Sequence, residues 1–324
     1  MPSRRQWIAS FAATLFLGLL RPAFADNWPN KPVKIVSPFA AGGSADAMAR
    51  ITAQHLSTAF GQPFIVEGKA GAGGTLAAEA VARAPADGYT LFWGTVNQIA
   101  IAPAISPTRY DPVKDFAPIS IIGTYPFVLT VNDGLGADSV PSFIAKIRQE
   151  PNKIPYGAAG AGSLTHMLMA LFLKRAGLEM IPVMYRGGAP AMVDLLSGQI
   201  KALFAPLPVA LHSQAPGKVR MLVVSSEQRA PRIPNVPTLI ESGFPGFKAN
   251  TWNGLMAPAG TPKGIIDRIA QESAKIAKDP TVVQRFEKIG TAMVGNTPAE
   301  FAAEIAASMV LWKEAVVTAG VKSK

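Results

Sequence analysis

One local pattern dominates this sequence: a short β-branched strand runs into a loop of small residues, and a helix begins where the loop ends. Residues 33–36 (VKIV) have the composition of a strand, and residues 38–44 (PFAAGGS) have that of a loop. Apolar side chains between Met48 and Leu56 then recur at helical spacing. Strands that alternate with helices predict parallel βαβ units and an α/β fold. Loops of this kind precede four helices: after Phe39, after Lys69, after Tyr156 and after Tyr185.

The first 25 residues have the pattern of an export signal. Arg4 and Arg5 give a basic start, residues 7–20 are almost wholly apolar, and AFA at 23–25 supplies the small residues of a cleavage site. The apolar run is shorter than the roughly 20 residues of a membrane span, which disfavours an uncleaved anchor. We expect cleavage after Ala25 and release into the periplasm. The paired arginines leave both general secretory and twin-arginine export open.

Length and composition narrow the class of protein further. Residues 26–324 are too many for one typical core, so two domains are expected. The chain has no cysteine, which excludes disulfides, a thiol nucleophile and cysteine-bound metal. Its net charge of +10, which becomes +7 without the three arginines of the leader, comes from scattered residues. Nucleic-acid-binding proteins cluster their basic residues on one face, so we expect no nucleic-acid partner.

The four small-residue loops are the strongest candidates for a binding site. The first turn of a helix exposes N–H groups that have no partner inside the helix, and the helix dipole adds about half a positive charge there. Glycine lets a ligand approach this backbone closely. If two or more of these helix ends converge, they form a pocket for a carboxylate without any arginine. The alternative is that each loop is only a tight connection between a strand and a helix.

Motifs for catalysis and cofactors fit this sequence poorly. A GxGxxG motif would require glycine or alanine where Leu76 and Thr165 stand, and no loop ends as a P-loop does. None of the three histidines has a metal-site neighbour three or four residues away, so we expect neither a metal nor a cofactor. Ser163 lies in AGSLT rather than in GxSxG, which disfavours a serine hydrolase built on Ser163 and His166.

Several residues near the loops are predicted to have structural roles. Ser163 is expected to cap the helix that follows it. Asp46 falls in a first helical turn, where its carboxylate favours the dipole and can pair with Arg50. Fixing the first loop for a ligand is compatible with that role. Three aromatic residues are expected in the core or between domains rather than as stacking platforms: Trp93, Trp252 and Trp312.

A series of different short motifs extends along the whole chain after the leader. They are WPNKPV at 28–33, PFAAGGSAD at 38–46, GAGG at 71–74, PADGYTL at 85–91, YDPVKDF at 110–116, GAAGAGS at 157–163, YRGGAPA at 185–191, VPT at 236–238, WNGL at 252–255 and APAGTP at 257–262. Each motif alone is modest, but their number and order are specific. In the number and the order of these motifs, the sequence resembles the Bug-type receptors. These are the extracytoplasmic substrate-binding proteins of tripartite tricarboxylate transporters.

The resemblance implies a two-lobed periplasmic-binding-protein fold of the type II, flytrap kind, in which each lobe is a mixed, mostly parallel sheet flanked by helices. It implies that residues 26–126 and 226–324 form lobe 1, that residues 127–225 form lobe 2, and that the chain crosses near 125–128 and 224–226. The ligand is then held by backbone and small polar groups of three loops. The implied ligand-binding residues are Phe39, Ala41, Gly42, Gly43, Ser44, Asp46, Gly160, Gly162, Ser163, Thr165, His166, Gly187, Gly188 and Ala189.

Two positions depart from the family pattern. EGK stands at 67–69 where Glu-Asn-Arg or Glu-Asn-Lys is usual, and Lys201 stands where an acidic residue is usual. Lys201 precedes residues 204–208, a candidate cleft segment. The simpler interpretation is that Lys201 only changes the surface charge. The alternative hypothesis is that Lys201 influences which ligand is bound.

Three functions are compatible with these observations. The first is a monomeric receptor that captures a small carboxylate between two lobes and delivers it, through transient contacts, to membrane transporter subunits. The ligand would be a di- or tricarboxylate, an aromatic carboxylate or an amino-acid carboxylate. The second is a secreted sensor with the same fold and a signalling partner, and the third is an exported serine hydrolase. We expect a receptor and not an enzyme. Because the loops hold no cluster of arginine or lysine, a mono- or dicarboxylate fits better than a phosphate.

Overall fold

The computed structural model describes residues 28–39, 41–247 and 249–319. The predicted leader and its cleavage site lie outside these ranges. The strands are β1 (Val33–Ser37), β2 (Phe64–Gly68), β3 (Thr90–Thr95), β4 (Phe116–Asn132), β5 (Pro155–Ala158), β6 (Ile181–Met184), β7 (Ala202–Pro206), β8 (Val219–Val224), β9 (Asn250–Pro258) and β10 (Ala292–Met293). The α-helices are α1 (Ser44–Phe60), α2 (Thr75–Ala82), α3 (Ala102–Ile105), α4 (Val140–Gln149), α5 (Leu164–Ala176), α6 (Gly188–Ser197), α7 (Leu207–His212), α8 (Lys263–Ile276), α9 (Pro280–Lys288) and α10 (Pro298–Ala319).

β1 lies between β2 and β3 in a first group of parallel strands. It pairs in parallel with both neighbours, so that Ile35 is opposite Val66 on one side and Leu91 on the other. β3 then pairs antiparallel with β9, and β9 pairs antiparallel with the first part of β4. The sequence predicts strands at 33–36, 64–66 and 89–96, and β1, β2 and β3 confirm them. The sheet is mixed because the chain returns through β9.

A second group of parallel strands is built around β5, which pairs in parallel with β6 and β7. Both β7 and β8 pair antiparallel with the second part of β4. The sequence predicts one helix at 164–176 and another that begins at Ala191. α5 has the predicted limits, whereas α6 begins earlier, at Gly188. Pro190 does not prevent the earlier start, because an N–H in the first turn has no acceptor within the helix.

β4 connects the two groups of strands. Up to Pro126, which lies opposite Asn250, it pairs with β9; from Phe127 onward it pairs with β7. Prolines at 103, 107, 112 and 118 predict a loop-rich stretch, and this prediction is wrong at Pro118, which lies inside β4. The pairing with β9 shifts register between Pro118 and Ser120. A bulge of this kind tolerates a residue that has no N–H to donate.

Ser225 joins three chain segments beside the point where β4 changes partners. Its hydroxyl accepts the N–H of Phe127 at 2.9 Å and donates to the carbonyl of Ala249. Its own N–H donates to the carbonyl of Phe127 at 2.8 Å, and its carbonyl accepts the N–H of Ala249 at 2.9 Å. Ser225 is fully buried, so these bonds are shielded from water. The expected boundaries at 126/127 and 225/226 fall at this junction, and the division into lobes stays a prediction.

The core extends under both groups of strands. Trp93, Trp252 and Trp312 are buried, which confirms their predicted structural role. The ring of Trp252 meets that of Phe301 edge-on at 5.0 Å, and its indole N–H donates to the hydroxyl of Ser308 at 3.1 Å. These contacts fix α10 against the sheet. Within the described ranges, no helix combines the length and the apolar character that a membrane crossing requires.

Candidate ligand-binding site

A cavity lies where the loops after β1, β5 and β6 meet the strands that join the two groups. It encloses about 950 Å³, including the part that is open to solvent. Tyr125 and Phe127 of β4 and Thr251 of β9 contribute to its wall. Since both groups of strands supply lining residues, a molecule held here would touch both.

The loop after β1 carries four of the predicted residues into the cavity, and α1 begins at its end. The N-cap of α1 is a glycine, so no side chain satisfies the first N–H groups of the helix. The hydroxyl of Ser44 is buried and has no hydrogen-bond partner among the described residues. A backbone and a hydroxyl that lack acceptors suit an anionic ligand. The residues concerned are Phe39, Ala41, Gly43 and Ser44.

Gly42 and Asp46, which were also predicted to bind the ligand, do not line the cavity. The carboxylate of Asp46 accepts the N–H of Gly42 at 3.0 Å. It also accepts the Nε–H of Arg50, at 2.9 and 3.0 Å to its two oxygens, as the sequence predicted. Asp46 is only 5% exposed. It therefore fixes the first loop onto α1 from a position outside the cavity lining.

The loop after β5 is held by hydroxyl groups. Ser163 is the N-cap of α5, as predicted, and its Oγ accepts the N–H of His166 at 3.3 Å. The hydroxyls of Ser163 and Thr165 lie 3.0 Å apart, and that of Thr165 accepts the N–H of Ala159 at 2.8 Å. Ser163 and Thr165 line the cavity. Gly160 does not line it; its carbonyl accepts the N–H of Ser163 at 3.2 Å, and its φ of +112° requires glycine.

His166 supports the same loop through its ring. Its Nδ1 accepts the N–H of Gly162 at 3.1 Å, which leaves the ring proton on Nε2. Burial lowers the pKa of His166, so the ring is neutral near pH 7. Gly162 and His166 were predicted as ligand-binding, but they line a neighbouring cavity that shares Gly73 and Asn97 with the first. A serine hydrolase would need an unprotonated ring nitrogen of His166 that accepts the proton of Ser163. The unprotonated nitrogen, Nδ1, instead accepts the backbone N–H of Gly162.

The loop after β6 brings Gly187, Gly188 and Ala189 to the cavity at the start of α6, where the prediction placed them. Gly187 is the N-cap, so this helix also begins without a capping side chain. Arg186 lines the same cavity and was not predicted. It is exposed, and it is the only charged side chain among the described lining residues.

Three helices of ten or more residues therefore begin at one cavity. α1 has 17 residues, α5 has 13 and α6 has 10. Each presents free N–H groups and about half a positive charge at its start, so their combined field favours an anion. The fourth predicted loop, after Lys69, contributes Gly73 alone.

Strands and helices supply the part of the wall that sequence reasoning missed. Tyr125, Phe127, Leu164 and Val209 give it a largely apolar surface. Burial raises the pKa of Tyr125 to about 12, so its phenol stays neutral. Tyr125, Phe127 and Val209 lie outside the glycine-rich loops, and no local signal marked them, whereas Leu164 directly follows Ser163. Their arrangement fits the hydrocarbon part of a small acid.

Asn97, also missed, lies in a single π-helical turn after β3 (Asn97–Ile101), a local structure that is common at functional sites. Its Nδ2 donates to the carbonyl of Gly73 at 2.7 Å, which fixes the orientation of the amide. Its Oδ1 is buried and has no partner among the described residues. Asn97 thus links the loop after Lys69 to the cavity wall.

The cavity has little else that is charged. No aspartate or glutamate is present among its described lining residues, and Lys201 is not one of them. Within the described ranges, no group of three or more histidine, aspartate or glutamate side chains is placed to hold a metal ion. The arrangement can bind an anion, and it offers no carboxylate to a cationic group.

Comparisons with known proteins match this sequence and this fold. The family model described as tripartite tricarboxylate transporter family receptor, TctC, matches residues 48–319. Protein BugT of Bordetella pertussis is 35% identical over 98% of this chain and 97% of its own length. A structure of an R. palustris protein with adipate has a TM-score of 0.88 at 33% identity, covering 91% of this chain and 99% of that one. MatC from Rhodopseudomonas palustris with bound malate has a TM-score of 0.84 at 30% identity, covering 89% and 100%.

Fold and site together define a solute-binding receptor of the periplasmic type. The chain belongs to the TctC family, the receptors of tripartite tricarboxylate transporters. The resemblance to Bug-type receptors is confirmed, and so is the α/β periplasmic-binding-protein fold. The prediction that the chain is not an enzyme is confirmed by its family, whose members are substrate-binding receptors, and the serine hydrolase is set aside.

Proposed function

We propose that this protein is exported to the periplasm, captures a small carboxylate between its two lobes and delivers it to the membrane subunits of a tripartite tricarboxylate-type transporter. The observation that carries the proposal is the meeting of three uncapped or serine-capped helix starts at one cavity. Family membership supports the delivery step. The chain acts as a monomer with one ligand site.

Binding follows from the groups that face the cavity. A carboxylate accepts hydrogen bonds from the free N–H groups at the starts of α1, α5 and α6. Because these helices belong to both groups of strands, the ligand makes more contacts when the groups are close together. Those additional contacts favour the closed state, and closure presents a surface that the transporter can distinguish from the empty receptor.

The lining also narrows the ligand class. An amino acid would bring an ammonium group, and no described lining residue offers it a carboxylate. A tricarboxylate would need more positive charge than one arginine and three helix starts provide. A mono- or dicarboxylate with an apolar body satisfies both conditions. The solved relatives that hold adipate and malate support this class.

A thermal-shift screen tests the binding step. The protein is unfolded and refolded to remove any carried ligand, and carboxylates are compared with their own amides. A ligand at a hundredfold excess over its Kd adds about 2.7 kcal/mol to the free energy of unfolding, which is readily measured. Stabilisation by acids but not by amides is expected. If no carboxylate of two to ten carbons stabilises the protein, the proposal fails.

A cavity-filling variant locates the site. A Cβ added at Gly43 meets no atom within 4 Å, and the φ of Gly43, −86°, suits any residue. Gly43→Leu should therefore fill the cavity and abolish binding while the unliganded protein keeps its melting temperature. Gly43→Ala, with the same backbone restriction and little added volume, is the control and should keep most of the affinity. Full binding by Gly43→Leu would place the ligand elsewhere.

Uptake measurements test delivery. A strain that lacks the receptor should lose uptake of the radiolabelled ligand, and the wild-type chain should restore it whereas Gly43→Leu should not. Unchanged uptake in the deletion strain, with binding intact, would favour the sensor role instead.

A further inference from the structure

We infer that Arg186 selects ligands that carry a second anionic group, so that the preferred ligand of this receptor is a dicarboxylate rather than a monocarboxylate. The inference rests on the proposed carboxylate-binding function and adds a ligand class and a residue to it. It depends on the charge, the pairing and the position of Arg186.

The pairing of Arg186 sets it apart from other arginines of the protein. Arg50, Arg83 and Arg229 form ion pairs with acids at 2.9–3.0 Å. No ion pair or hydrogen bond joins the side chain of Arg186 to another described residue. The acid on the adjacent helix, Asp194, accepts the hydroxyl of Tyr185 at 2.7 Å. The guanidinium is therefore available for a ligand.

The position of Arg186 fits the far end of a bound acid. It lines the cavity and is also exposed, so it lies where the cavity opens to solvent. The residue that follows it is the N-cap of α6, which fixes the backbone beside it. The starts of α1 and α5 provide the site of the first carboxylate, and the apolar wall of Phe127, Leu164 and Val209 suits the carbon chain. A second carboxylate then reaches the guanidinium, whose planar donors match it with two hydrogen bonds.

Charge balance leads to the same conclusion. At about half a charge each, the three helix starts compensate about one and a half negative charges, and no other described lining residue carries a positive charge. A second carboxylate without Arg186 would lose water on closure and gain only about half an opposite charge in return. With Arg186 present, a dianion is compensated, whereas a monoanion leaves the guanidinium unpaired.

Calorimetric titration of matched acid pairs tests the inference. The ligands are linear dicarboxylates of four to eight carbons and monocarboxylates of equal chain length, and the proteins are the wild type, Arg186→Gln and Arg186→Lys. The wild type should bind its best dicarboxylate at least tenfold more tightly than the matched monocarboxylate. Arg186→Gln should weaken the dicarboxylate about tenfold, which corresponds to about 1.4 kcal/mol, and leave the monocarboxylate unchanged. Arg186→Lys should bind the dicarboxylate with an affinity between those of the wild type and Arg186→Gln.

Arg232→Gln is the matched control, because Arg232 is exposed and does not line the cavity. It removes the same net charge and should change neither affinity. The inference is overturned if Arg186→Gln weakens both acids equally, if it leaves the dicarboxylate unchanged, or if the wild type prefers monocarboxylates. If the wild type binds no member of either series, the proposed function fails and the inference falls with it.

Discussion

Replacement of Asp46 tests how the first loop of the site is held. Its buried carboxylate makes two kinds of contact, one with the N–H of Gly42 and one with Arg50. The side chain of Arg50 is 54% exposed, so solvent screens that ion pair and its contribution is at most about 1 kcal/mol. A hydrogen bond to a buried charged group contributes about 1.5–3 kcal/mol. Most of the stabilisation should therefore come from the bond to the loop.

Three substitutions separate the two contacts. Asp46→Ala removes both and should lower the free energy of unfolding by about 2–4 kcal/mol. Arg50→Met removes only the ion pair and should cost less than about 1 kcal/mol. Asp46→Asn keeps an acceptor for the N–H of Gly42 but has no charge. Its loss in free energy of unfolding should lie between those of the other two variants. Because Asp46 does not line the cavity, ligand affinity changes only through the fraction of molecules whose loop is ordered. A loss of about 2 kcal/mol in loop order weakens binding at most about thirtyfold.

Urea denaturation gives the stabilities, and titration with a carboxylate from the thermal-shift screen gives the affinities. The expected order of both losses is Asp46→Ala, then Asp46→Asn, then Arg50→Met. Equal losses in Asp46→Ala and Arg50→Met would show that the ion pair, and not the bond to Gly42, holds the loop. An unchanged affinity in Asp46→Ala would remove the loop from the binding mechanism.

Three further predictions concern single residues. Ser225→Ala leaves the buried N–H of Phe127 without its acceptor and should cost about 1–3 kcal/mol in urea denaturation; unaltered stability would contradict the role of Ser225 at the strand junction. Burial lowers the pKa of His166 below its usual 6.5, so the stability that the neutral ring contributes is present above about pH 6.5 and is lost as the pH falls further. His166→Gln should therefore reduce the pH dependence of the melting temperature between about pH 5 and 7.5, and an unchanged slope would refute this. Gly74→Ala should cost more than about 1 kcal/mol, because φ is +90° and the added Cβ would lie 2.4 Å from Nε2 of Gln98; a cost below about 0.5 kcal/mol, measured by thermal denaturation, would show that the loop adapts.

Local patterns in the sequence predicted the part of the fold that local interactions determine. The strands at β1 and β2 and the helix α5 follow from β-branched runs, helical periodicity and a serine cap. β4 and β9 were missed, because their pairing joins distant segments and two prolines, Pro118 and Pro126, lie within β4. A proline signals a loop when it is considered alone, and only the register of the neighbouring strand shows that it is tolerated.

The residues of the candidate site were also predicted only where a local pattern determines them. Glycine-rich loops before helices predicted where an anion could bind, since free N–H groups are a property of the helix start itself. Which residues face the cavity depends on tertiary packing, so Arg186 and Tyr125 were missed. Five predicted residues hold or adjoin the loops and do not line the cavity at the starts of α1, α5 and α6: Gly42, Asp46, Gly160, Gly162 and His166.

A crystal structure of the protein with the carboxylate that stabilises it most would test the central claim directly. We predict carboxylate oxygens within about 3 Å of backbone N–H groups at the starts of α1 and of α5 or α6, so that both groups of strands hold one ligand. A ligand bound in the neighbouring cavity beside His166, or one that touches a single group of strands, would contradict the account.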